Sequence, residues 1–80
     1  MNEREKRLRR LKIRSWRRGI KEMDLILGNF WDAEGASLDD ETLDVYEALL
    51  SENDQDLYLW CSGQAVPPER FAGLIQRLKP

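Results

Sequence analysis

Trp16, Ile20, Met23, Leu27 and Phe30 follow one another at steps of four, three, four and three residues. That spacing keeps side chains on one face of an α-helix and would scatter them over both faces of a strand. Nowhere does hydrophobicity alternate with period two, and no segment repeats another. In a chain of 80 residues, this pattern calls for short helices packed around one small core. We expect an all-α fold, a bundle of five short helices forming a single domain over residues 1–80.

The segments follow from local signals. Residues from Glu3 to Arg17 are strong helix formers, with Leu8 and Leu11 as the first apolar positions. The Trp16 stripe, widened by Leu25 and Ile26, makes a second helix ending after Trp31, before the turn-like run Asp32 to Ala36. Asp39 caps a third, with Leu38 and Leu43 placed as a hydrophobic staple and Asp40 and Glu41 in the first turn. Its apolar face is Leu43, Tyr46, Leu49 and Leu50, and Ser51-Glu52-Asn53 breaks it. Asp54 is the expected cap of a short fourth helix carrying Leu57, Trp60 and Cys61, stopped at Gly63. Pro67-Pro68 opens the fifth, with Phe71, Leu74, Ile75 and Leu78 on one face.

Composition removes several classes of chemistry. The chain has no histidine and one cysteine, which excludes a His-based triad, a His/Cys zinc cluster, an internal disulfide and a CxxC pair. Neither a metal nor a stably bound cofactor is expected. The longest apolar run, Leu57 to Cys61, falls far short of the roughly 20 residues of a membrane-spanning helix, so no membrane insertion is expected. Glu3 and Glu5 within the Arg-rich start, and the scarcity of serine, argue against a transit peptide. The expectation is a complete chain in the bacterial cytoplasm.

Charge is segregated. Ten Lys/Arg against three Asp/Glu occupy residues 1–22, eleven Asp/Glu and no Lys/Arg occupy 23–66, and the tail is weakly basic. Such a field steers charged partners, or else the basic head folds back on the acidic middle; both readings stand.

Against this background Arg17-Arg18-Gly19-Ile20-Lys21-Glu22-Met23-Asp24 is unusual. Gly19 interrupts a helical pattern at a cost of about 1 kcal/mol relative to alanine. It marks either a break between helices or a bare spot for a close backbone approach. Arg18 and Glu22, four apart, read as neighbours on one helix face, and a surface pair in that order adds only tenths of a kcal/mol. A fork-shaped donor, a carboxylate and a notch without a side chain make a docking patch. The plain alternative is a helix junction with solvated charges.

Arg18-Gly19-x-x-Glu22 resembles the RGxxE motif of the SdhE family, the FAD assembly factors of succinate dehydrogenase. The likeness extends over Arg17 to Gly28, similar to the family's RRGxxELDxLLG stretch, and to Asp56-Leu57-Tyr58-x-Trp60 with the later Pro67. The resemblance implies a five-helix bundle, monomeric when free. Its partner would be the flavoprotein subunit of succinate dehydrogenase, and in bacteria also that of fumarate reductase. It implies a factor without enzymatic activity that promotes covalent attachment of FAD to a histidine of the partner. The partner-binding residues would be Arg18, Gly19 and Glu22, with Arg17 and Asp24 adjoining. Two other readings of the residues remain. One is a nucleic-acid-binding module built on the basic first helix, which the acidic pI of about 5.1 disfavours. The other is a small helical adaptor of a different kind.

Overall fold

The computed structural model describes residues 2–79. Five helices follow one another: α1 (Glu3–Trp16), α2 (Lys21–Glu34), α3 (Asp40–Leu50), α4 (Asp54–Cys61) and α5 (Glu69–Leu78), with a 3₁₀ turn at Gly35–Ser37. There is no strand among the described residues. The all-α bundle of five short helices expected from periodicity is the fold observed. Among the described residues, no helix is long and apolar enough to cross a membrane.

Three of the five helix starts, those of α1, α3 and α4, are set by side-chain caps. Asn2 accepts from the Glu5 N–H, Asp39 from Thr42 and Asn53 from Asp56, at 2.7, 2.8 and 2.8 Å. Asp39 is therefore the cap its position indicates. In α4 the cap is Asn53 rather than Asp54, because Asp54 has moved one place into the helix, where its carboxylate meets a cation from another element. Gly63 has φ +82°, the left-handed stop expected after α4. Pro68 is the N-cap of α5.

Two boundaries differ from the periodic reading. α1 runs through Trp16 and α2 starts only at Lys21, so the apolar stripe that looked continuous spans a break. Trp16 keeps its place in the stripe by folding its indole over Gly28, whose missing side chain leaves room for the ring. α2 then continues to Glu34 and tightens into the 3₁₀ turn, beyond the stop expected after Trp31.

One core joins all five helices. Leu11, Met23, Leu27, Leu43, Tyr46, Leu49, Leu57 and Phe71 are wholly buried within it. Tyr46 of α3 packs against Phe30 and Trp31 of α2, with ring centroids 5.7 and 5.3 Å apart. Its hydroxyl lies 2.6 Å from buried Ser15 Oγ, and Ser15 donates its only hydrogen to the Leu11 carbonyl at 2.7 Å, so Tyr46 is the donor to Ser15. Among the described residues, no buried side-chain polar atom is left without a partner.

The basic head does fold back on the acidic middle. Along the α1–α3 seam Arg4 meets Asp40 at 2.8 Å and Arg7 meets Asp44 at 2.7 Å. Arg7, Arg10 and Arg14 all converge on the Glu47 carboxylate, at 3.1, 3.6 and 3.9 Å. The seam brings the two blocks of opposite charge into register along two helices.

Candidate functional site

The four residues between α1 and α2 form an elbow, and Arg18 is the residue that holds it. Its backbone N–H donates to the Asp24 carboxylate at 2.5 Å, which closes the turn from inside α2. Its side chain runs inward to the corner between α3 and α4. There Nε donates to Asp54 at 2.8 Å, and the two terminal nitrogens donate to the carbonyls of Leu50 and Glu52 at 2.7 and 3.0 Å. Leu50 is the last residue of α3, so the guanidinium meets the negative end of that helix and satisfies a carbonyl with no intrahelical partner. The Arg18 and Asp54 side chains are only 11% and 15% exposed.

This geometry revises part of the expected docking patch. Arg18 and Glu22 do not share a helix face, because Arg18 precedes the helix that carries Glu22. The guanidinium is an internal clamp rather than an outward fork. Asp24 likewise is half-buried and engaged by the Arg18 backbone. Arg17, the C-cap of α1, is exposed.

Gly19 and Glu22 remain outward. Gly19 is exposed and has φ +114°, a conformation that residues with a side chain adopt only under strain. A Cβ there would meet only Asp54 Oδ2, at 3.7 Å, so the bare position reflects backbone conformation rather than crowding. Glu22, in the first turn of α2, is exposed and makes no ion pair among the described residues.

Beside them runs a groove of about 480 Å³ lined by Ile20, Glu22, Gln55, Tyr58 and Leu59. Tyr58 and Leu59 are 39% and 37% exposed, so two of its five lining residues are large side chains turned to solvent. Sequence reasoning did not assign Tyr58 or Leu59 to the docking surface, although the signal was present. Five consecutive apolar residues, Leu57 to Cys61, occupy more than one full turn of a helix. Once Leu57, Trp60 and Cys61 face the core, Tyr58 and Leu59 must face out. Asp54 was missed too, since nothing local marks it as the partner of a residue 36 positions away.

The remaining titratable groups of note are buried away from the elbow. Burial pushes the Cys61 thiol up from its ordinary value, away from the reactive thiolate. Among the described residues, no cluster of three or more His, Cys, Asp or Glu is arranged to hold a metal ion.

The family described as flavinator of succinate dehydrogenase (Sdh5) matches residues 9–80, nearly the whole chain. The chain belongs to that family. Among its relatives, succinate dehydrogenase assembly factor 2, mitochondrial, of Schizosaccharomyces pombe is 41% identical over 68 residues, covering 85% of this chain and 49% of that protein. The protein of the same name from Schizosaccharomyces japonicus is 43% identical over 70 residues, with 86% and 49% covered. That of Candida glabrata is 45% identical over 70 residues, with 84% and 46% covered. The chain thus spans about half the length of the curated relatives it matches. Their names place these relatives in mitochondria, which overturns the expectation of a bacterial cytoplasmic protein. That expectation rested on the lack of leader-like composition near Met1, and the start of a chain half as long as its relatives carries no such information.

Proposed function

We propose that this protein serves in succinate dehydrogenase assembly by docking on the flavoprotein subunit and promoting covalent attachment of FAD there. The family description and the names of the relatives support the assembly role. The observation that carries the docking reading is the pairing of Gly19 with Glu22. A bare, positive-φ elbow lies next to an unpaired carboxylate on the wall of an apolar groove. The elbow admits a partner backbone closely, the groove buries apolar side chains from the partner, and Glu22 accepts a hydrogen bond or takes a cation.

The helix starts of this chain are poor seats for the diphosphate of FAD. A helix N-terminus is where a backbone would hold such an anion, yet every helix carries carboxylates in its first turn: Glu3 and Glu5, Glu22 and Asp24, Asp40 and Glu41, Asp54 and Asp56, and Glu69. On this reading bond formation to the flavin belongs to the partner, whose own groups supply the chemistry. The present chain contributes no catalytic group. It favours the partner conformation in which flavin and acceptor side chain are aligned, acting by differential binding to that state. The flavoprotein subunit of fumarate reductase is proposed as a second client of the same surface.

Co-expression with the flavoprotein subunit tests the reading. Gly19→Arg and Glu22→Ala are expected to lower covalent flavin, measured by in-gel fluorescence, at least about tenfold. Gly19→Ala incurs the same backbone strain without the bulk and separates loss of docking from loss of fold. Covalent flavin at the wild-type level with both Gly19→Arg and Glu22→Ala would refute the proposal.

A further inference from the structure

We propose that the outer face of α1 is a second docking surface, one that takes an acidic stretch of the flavoprotein subunit and accelerates its capture; this rests on the reading above. The inner edge of α1 consumes Arg4, Arg7, Arg10 and Arg14 in its seam with α3. The seam is short of acid, because three of those arginines share the single carboxylate of Glu47. On the opposite side Arg9 and Lys12 are exposed and make no ion pair or side-chain hydrogen bond among the described residues.

Arg9 and Ile13 are four apart and share one stripe of the helix, with Lys12 alongside. Ile13 is 50% exposed, a large apolar side chain set among these cations. Arg9 and Lys12 also border a hollow of about 360 Å³ with Leu8, Trp31, Asp32 and Ala36. The acids on this side are few. Glu5 is exposed, Glu3 lies 3.6 Å from Lys6, and Asp32 accepts a bond from the Trp16 indole at 3.3 Å. Arg17 and Lys21, both exposed and outside any ion pair among the described residues, carry the positive charge around the elbow to Gly19. The basic face is therefore continuous along the chain with the proposed site.

Charge complementarity selects the occupant. The chain displays the matching arrangement internally: Asp40, Asp44 and Glu47, spaced by four and three residues on α3, meet the inner arginines of α1. A partner segment with carboxylates at similar spacing, together with an apolar side chain for Ile13, satisfies the outer face in the same way. Interactions of this kind raise the rate of encounter more than they slow release, and salt screens them.

The test is the association rate of the full chain with the purified flavoprotein subunit, by surface plasmon resonance at roughly 20 and 300 mM salt. Arg9→Glu/Lys12→Glu is expected to lower the rate about tenfold at low salt, with the gap narrowing at high salt. Arg9→Gln/Lys12→Gln is expected to show a smaller loss of the same sign, and Arg9→Lys/Lys12→Arg to restore wild-type behaviour. An unchanged rate and salt slope in the charge-reversed chain, with the wild type binding, overturns this inference and leaves the Gly19–Glu22 reading intact. A wild-type chain that fails to bind the subunit at either salt overturns both. Capture of phosphatidylserine vesicles or single-stranded RNA that charge reversal abolishes, with subunit association unaffected, also overturns it.

Discussion

Arg18 carries five N–H donors, and the fold directs its three guanidinium nitrogens to acceptors in the corner between α3 and α4. Arg18→Ala leaves Asp54 nearly buried without its cation and two carbonyls short of a partner. The expected loss is about 2–4 kcal/mol, read as a lower urea midpoint. Arg18→Lys recovers only part of this, because a point charge cannot reproduce a planar fork aimed at three acceptors. Glu22→Ala, by contrast, is expected to melt like the wild type. The two charged residues of the motif thus separate into one that builds the elbow and one free to face a partner. Only half of that division was legible beforehand. Sequence spacing marks Gly19 as a break and Glu22 as surface, but the direction of an arginine whose acceptors lie 32 to 36 residues away is decided by tertiary packing.

At the scale of elements, periodicity and capping signals located every helix, and their errors cluster where a tertiary contact overrides a local rule. Trp16 looked like the opening residue of the second helix because its stripe position is genuine; the stripe is completed across a break by an indole laid on Gly28. The cap of α4 shifted from Asp54 to Asn53 because Asp54 was drawn into the Arg18 clamp. Gly28 yields a prediction at this scale. Alanine is the better helix former by about 1 kcal/mol, yet a Cβ at this position would overlap the Trp16 ring. Gly28→Ala is therefore expected to destabilise the fold by about 1–3 kcal/mol, with a change in tryptophan fluorescence as the indole is displaced. Trp16→Leu in the same background is expected to recover part of the loss.

The whole molecule is tied together at Tyr46, where side chains of α1, α2 and α3 meet. Burial pushes its phenol up to about 12, against the smaller opposing pull of the Arg18 and Arg14 charges. The unfolded phenol titrates near 10, so between about pH 10 and 12 the folded chain holds a proton that the unfolded chain has lost. Stability from this group is intact below pH 10 and falls as pH rises towards 12, by roughly 2–3 kcal/mol. Tyr46→Phe is expected to be slightly less stable at neutral pH, through the lost bond to Ser15, yet to lose less between pH 10 and 12. Thermal melts of both proteins across that range check the sign. The Arg18 clamp carries a last consequence for the assembled molecule. Since the elbow takes shape only when the α3–α4 corner is closed beneath it, an immature or damaged copy presents no competent grip, and on the proposed reading the factor vets its own folding before it can engage a client.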